Sequence, residues 1–372
     1  MSGLPIVELP GEPHADGVAH GAACAAAIAD NLRIYYDRFR REARLTLQET
    51  RDRARMYLAV IDRVEPDYGA AMRGIAEGAG ISLDDVAVLN ARYELLYSQY
   101  STINRAEATS CGIPAGGCTA FAVTPEASAD GHLYLGQNWD WFPAVRGVLL
   151  RRRTGATAVV AFTEAGIVGG KIGMNGHGLG LVINGLLSSR DDWRQLRTPF
   201  HVRTWRVLHA RSLRDAVQVV TDEPRSCSAN FLIGQADGAA EVVNVEAAPE
   251  AACALAPHDG VLAHANHFVD PDRLKIWQPL AEEKTSTYHR ARRMHRLLVE
   301  GARRRALNAR TLMEILRDHE GRPESLCRHP NPALPEEERV ETVVSVVEDL
   351  TARRLYVASG TPCTQPYQEI PL

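Results

Sequence analysis

The chain has 372 residues, 45% hydrophobic and 24% charged, with a formal net charge of −4. That is the profile of an ordinary globular protein, and it gives no electrostatic case for nucleic acid or an anionic membrane as partner. The seven cysteines (Cys24, Cys111, Cys118, Cys227, Cys253, Cys327 and Cys363) are irregularly spaced and include no CxxC pair, which argues against a disulfide framework and a structural zinc site.

The N-terminus "MSGLPIVELPGEPHADG" has neither the basic nor the apolar region of a signal peptide. The expectation is a reduced, cytoplasmic protein with no cofactor and no metal. Residues 1 to about 110 read as helical. "DGVAHGAACAAAIADNLRIYYDRFRREA" and "LTLQETRDRARMYLAVIDRV" are rich in helix formers with little punctuation. "ISLDDVAVLNARYELLY" opens with Ser82 and Asp85 in capping positions, then repeats Leu83, Val86, Asn90, Tyr93 and Leu96 at helical spacing.

After Gly117 the texture changes. "CTAFAVTP" and "HLYLGQNWD" are strand-like runs, with Asp130-Gly131 between them as a hairpin signal. Further strands are expected at "RGVLLRRRTG", "ATAVVAFTEAG", "VGGKIGMN" and "GLGLVINGL", helices over 198–211 and 212–222, and a hairpin about Asp237-Gly238. Two helices ("TYHRARRMHRLLVEG", "NARTLMEILRDHE") and two strands ("ETVVSVVEDL", "RRLYVASG") complete the chain. Strands segregated from helices indicate an α+β layered domain rather than a parallel βαβ array. The glycines of "GMNGHGLGLV" lead into a strand, not a helix, so they do not form a dinucleotide cradle.

Cys118 stands at the join, after Gly116-Gly117. A free thiol has a pKa near ~8.5 and needs a base. Either a histidine supplies it, or the peptide bond before the cysteine is cut and the freed α-amine does, with a pKa of roughly 7.7–8.0. Glycine at 117 suits the cut, because it accepts unusual φ/ψ and lets the thiol approach its carbonyl.

The succession "GCTAF", "GQNWDW", "GMNGHGLGLVINGL", "HANHF", "LRDHEGRPESLCRHP" and "TVVSVVEDLTARRLYVASGTPC", preceded by "RGIAEGAGISLDDVAVLNAR", resembles the penicillin acyl-coenzyme A acyltransferase family. These are isopenicillin N / 6-aminopenicillanic acid acyltransferase-like enzymes, the autoproteolytic cysteine branch of the N-terminal-nucleophile hydrolases. The resemblance runs from about residue 15 to the end and implies a four-layer αββα sandwich with a helical N-terminal segment. It implies cleavage between Gly117 and Cys118, leaving residues 1–117 as an α-subunit bound to a catalytic β-subunit of residues 118–372. The same resemblance makes Cys118 the nucleophile, Asp140 the holder of the α-amine, and Asn266 and Asn184 the oxyanion donors. Thr119 and Arg290 join the site, Thr119 as a hydrogen-bonding hydroxyl or a plain strand threonine. Gln137 stands where related amidases carry an arginine, a departure from their pattern. Substrates implied are a small acyl-amide, an amine, or an acyl-CoA thioester, with Trp139, Trp141, Phe142 and Phe121 either lining an acyl pocket or packing a core. An uncleaved Cys–His amidase using His132 or His267, and a non-catalytic acyl-ligand binder, remain as alternatives, and an oligomer of the cleaved heterodimer is compatible with the sequence.

Overall fold

The computed structural model describes residues 3–101, 117–153, 158–278 and 286–372. Gly116 and Cys111 fall outside them.

Five helices open the chain: α1 (Pro13–Glu42), α2 (Leu47–Val64), α3 (Pro66–Ala79), α4 (Leu83–Asn90) and α5 (Arg92–Ser101). A capping box between Thr46 and Glu49 starts α2, and Ser82 Oγ accepts from the Asp85 N–H to start α4. The single helix expected from "ISLDDVAVLNARYELLY" is broken at Ala91, so that α4 and α5 are separate. The reading of residues 1–117 as purely helical also needs correction. Ile6–Glu8 forms strand β1, which pairs in parallel with β4 (Gly147–Arg152). Three residues are too short to show a strand period, and the strand exists because β4 offers an open edge.

The remaining strands build two sheets. The larger has the order β1-β4-β5-β6-β7-β8-β9-β10, where β5 is Val159–Glu164, β6 Ile172–Asn175, β7 Leu179–Gly185, β8 Ala229–Gln235, β9 Glu241–Ala248 and β10 Ala251–Leu255. The smaller has the order β11-β2-β3-β12-β13-β14, with β2 Thr119–Val123, β3 Tyr134–Trp141, β11 Val261–His264, β12 Glu341–Asp349, β13 Arg354–Ser359 and β14 Gln368–Pro371. Every pairing but β1–β4 is antiparallel.

The sheets face each other, with β2 and β3 over β7 and β8. Helices α6 (Phe200–His209) and α7 (Leu213–Thr221) cover the larger sheet; α8 (Ser286–Arg303) and α9 (Ala309–Ile315) cover the smaller. The result is a four-layer αββα sandwich. Alternation along β2 divides its side chains. Phe121 and Val123 enter a core with Met294, Leu298 and Leu312 under α8 and α9, while Ala120 and Ala122 join the main core between the sheets. The main core also takes Ile28, Tyr35, Ile75 and Leu95 from the N-terminal helices. Among the described residues, no helix is long and apolar enough to cross a membrane.

Candidate active site

Cys118 is the residue just before β2, 3% exposed and part of the main core. The β2–β3 hairpin pairs Thr119 with Asn138. One step back, the same register sets Cys118 beside Trp139 and Gly117 beside Asp140. Cross-strand partners share a face and neighbours alternate. Cys118, Gln137, Trp139 and Trp141 therefore face one way, and Gly117, Thr119 and Asp140 face the other.

On the first face the thiol opens on a cavity lined by Arg92, Tyr97, Trp139, Trp141, Lys171 and Phe200, among others. Trp139 and Trp141 thus do line a pocket. Phe121 instead packs under α8 and α9, and Phe142 lies 3.5 Å beneath the Arg38 guanidinium. Burial pushes the Cys118 thiol up to about 11, with the Asp140 carboxylate pushing the same way. The Asp140 backbone N–H, Arg290 and the Gln137 amide act oppositely. Gln137 itself is locked to β7 through both its amide atoms, donating to Ile183 O and accepting from Ile183 N.

On the second face Asp140 is fully buried. Its Oδ1 accepts from Thr342 Oγ1 at 2.7 Å, across the β3–β12 pairing, while Oδ2 has no partner among the described residues. Burial raises this carboxyl to about 7, against the pull of Arg290 and Arg328. A Cβ placed on Gly117 would stand 2.8 Å from Asp140 Oδ2 and run into the Arg328 guanidinium. The position requires glycine for room, since any side chain there would meet both groups.

Arg290 ties this face together. From α8 its Nη1 donates to the Cys118 carbonyl oxygen and to Thr119 Oγ1, each at 2.6 Å, and its Nη2 donates to Asn266 Oδ1 at 3.0 Å. Arg293 and Arg296, on the same helix, pair instead with Asp318 and Glu320 near the surface. Only the buried arginine of this basic run belongs to the site.

The two asparagines are placed differently. Asn266 Nδ2 donates to Gly185 O at 3.1 Å and so is already engaged. Asn184 Oδ1 accepts from Asn230 and is in contact with His264 Nδ1 at 3.0 Å, and its buried Nδ2 has no partner among the described residues. Both asparagines therefore keep donor capacity: the whole amide NH2 of Asn184 and the second N–H of Asn266. His132 pairs with Asp349 at 2.9 Å, and His267 is bonded to Thr287 at 2.9 Å, with its ring tilted 34° against Tyr288.

Sequence reasoning passed over Thr342 and Arg328, although both lie in quoted blocks, because their partners are 202 residues away for Thr342 and on a different face of the hairpin from the cysteine for Arg328. It also passed over the cavity's charges. Glu164 is bonded to Arg92, Lys171 and Tyr35, and Trp141 Nε1 donates to Tyr35 OH at 2.8 Å. Burial would raise Glu164, but Arg92 and Lys171 hold it down at about 2. Lys171 lies 4.1 Å over Trp139. No spacing rule links an arginine on α5 to a lysine between strands.

Among solved structures, the chain resembles penicillin V acylase from Agrobacterium tumefaciens (15% identity, 68% of this chain and 86% of that one, TM-score 0.46). It also resembles the Caenorhabditis elegans N-acylethanolamine-hydrolyzing acid amidase ortholog (13% identity, 63% of this chain and 93% of that one, TM-score 0.44). By sequence it is 26% identical over 364 residues to the 40 kDa form of acyl-coenzyme A:6-aminopenicillanic-acid-acyltransferase from Emericella nidulans, covering 95% of this chain and 91% of that protein. The sequence profile of one family spans residues 127–363, well over half of the chain and inclusive of Asp140, Asn184, Asn266, Arg290, Arg328 and Thr342, and the chain thus belongs to the acyl-coenzyme A:6-aminopenicillanic acid acyl-transferase family.

Proposed function

We propose that the protein is a self-cleaving amidohydrolase or acyltransferase whose nucleophile is Cys118. One observation carries this reading: the sulfur and Asp140 approach residue 118 from opposite faces of the hairpin, the sulfur facing a cavity and the carboxylate facing the Gly117 side. A carboxylate placed there serves the peptide nitrogen of residue 118 rather than its thiol.

In maturation the Cys118 sulfur attacks the Gly117 carbonyl carbon and the C–N bond breaks. The acyl group is then held as a thioester and the nitrogen becomes a free amine. Water cleaves the thioester, giving a carboxylate at Gly117 and a thiol at Cys118. In turnover the amine takes the thiol proton, the thiolate adds to the carbonyl of an amide or acyl-CoA thioester, and the ammonium returns the proton to the leaving group. Water or an amine then accepts the acyl group. Asp140 holds the ammonium, Arg290 fixes the Cys118 carbonyl and Thr119, and Asn184 and Asn266 are the candidate donors to the oxyanion. A thiol pushed up to about 11 needs a base for turnover, and the freed α-amine of the same residue supplies it.

Residues 1–117 stay attached after the cut, since their helices share the main core with both sheets. Arg92 and Lys171, set against the single carboxylate of Glu164, leave a net positive charge in the cavity. We read this as a preference for an acyl donor or acceptor that carries a carboxylate. A compartment that keeps the described cysteines reduced, the cytoplasm, suits this thiol chemistry.

Intact-mass measurement with N-terminal sequencing tests the reading. Two fragments are expected, the second beginning Cys118-Thr119-Ala120, and Cys118→Ala should stay as one inactive chain. An active, uncut wild-type chain would sink it.

A further inference from the structure

Behind Arg328 four side chains converge that the acyl-transfer chemistry does not use. His319 follows α9, Cys327 and His329 flank Arg328 on the approach to β12, and Cys363 follows β13. Their ligand atoms all lie within 4.8 Å of one another. His329 Nε2 is 3.1 Å from His319 Nε2, 3.7 Å from Cys327 Sγ and 3.5 Å from Cys363 Sγ. A tetrahedral zinc with bonds of about 2.0–2.1 Å to nitrogen and about 2.3 Å to sulfur has N···N edges of roughly 3.3 Å and N···S edges of roughly 3.6 Å. The three separations from His329 Nε2 are close to those edges, and the other three lie within 4.8 Å.

We propose that His319, Cys327, His329 and Cys363 bind one structural Zn2+ ion. Two thiolates and two imidazoles in a closed tetrahedron select zinc over harder cations. The loops that carry them are already fixed. Cys327 N donates to Asp318 O at 3.0 Å, His329 N to Pro323 O at 2.9 Å, and Arg317 Nε to Pro362 O at 2.9 Å. Binding releases the two thiol protons to solvent, and no oxidant is needed. Absence of a CxxC pair hid the site from sequence: the ligands come from three stretches, and only Cys327 and His329 are near neighbours.

The ion makes Arg328 a positioning residue, gripped on both sides by ligands while its guanidinium crowds Gly117 and its charge acts on Asp140. That consequence rests on the proposed cleavage chemistry; the metal site does not, so it is tested in the uncleavable Cys118→Ala protein.

Metal content is measured on Cys118→Ala purified with reductant, followed by Co2+ uptake after chelation. About one zinc per chain is expected, replaceable by Co2+ with the intense visible absorption of a tetrahedral thiolate site. His319→Ala, at an exposed position, and Cys363→Ser should each weaken Zn2+ binding by more than the roughly 10–100-fold that follows loss of an outer-shell partner. Should either variant fail to fold, the Co2+ spectrum of the parent decides alone. A chain that takes up neither ion, metal unaffected by folded forms of both variants, or a Cys327–Cys363 disulfide in place of metal would each overturn the proposal.

Discussion

Replacing Gly117 with alanine isolates the crowding at the junction. The added Cβ would lie 2.8 Å from Asp140 Oδ2, about 0.6 Å short of the 3.4 Å at which ordinary contact begins. The Arg328 side chain is 14% exposed and can swing aside. Asp140 cannot, because it is fully buried and its other oxygen is held by Thr342 at 2.7 Å. The carboxylate or the Gly117 backbone has to move, and overpacking of this kind costs about 1–3 kcal/mol. If the strain falls on the geometry of the N-to-S shift, cleavage slows about five- to hundredfold, at about 1.4 kcal/mol per factor of ten. The assay is a time course of intact mass on freshly purified precursor, paired with thermal unfolding in the Cys118→Ala background, where a drop of a few degrees is expected. Arg328→Ala combined with Gly117→Ala should restore only part of the rate. Cleavage at the wild-type rate with unchanged melting would refute the steric argument. Full rescue by Arg328→Ala would show that Asp140 is not the constraint.

Asp140 also predicts a pH effect. Its folded pKa, about 7, lies above the ordinary 3.8. The folded state binds this proton more tightly, so the group favours folding below about pH 4 and loses that contribution as pH rises through 7. In the Cys118→Ala background, the parent should lose stability relative to its Asp140→Asn derivative over that window, by up to roughly 4 kcal/mol at about 1.4 kcal/mol per pH unit; a pH-independent difference contradicts the assignment. Arg290→Met strands the Cys118 carbonyl, Thr119 and Asn266 in the interior and should destabilise by about 3–5 kcal/mol in denaturant titrations. Arg290→Lys should restore only part, since an ammonium lacks the fork that reaches all three, and a loss under about 1 kcal/mol for methionine would remove Arg290 from this role. Lys171→Met should raise KM about tenfold for donors bearing a carboxylate and leave uncharged donors unchanged, at about 1.4 kcal/mol per factor of ten; equal effects on both would dismiss the charge preference.

Most strands and helices are legible in the sequence because their periodicity is local. The hairpin that brings Asp140 to the Gly117 side needs only two strand-like runs and Asp130-Gly131 between them. β1, β10, β11 and β14 escape because three to five residues carry too little pattern, and each exists by pairing with a longer neighbour. Arg290 is readable as one of four arginines on a helix, but its burial depends on α8 lying across β2, which no local signal encodes. Thr342, Arg328 and the Glu164–Lys171–Arg92 cluster are invisible for a related reason: they are products of topology, assembled from residues that become neighbours only through long-range strand pairing and helix packing.

The cavity at Cys118 draws Arg92, Tyr93 and Tyr97 from before the junction and Trp139, Trp141 and Lys171 from after it. Scission there would leave neither product owning a complete binding surface. Under the proposed cleavage, the leading fragment would be a permanent organ of recognition rather than a discarded chaperone. Swapping it between homologues should transplant substrate preference while the reaction type stays with the trailing one.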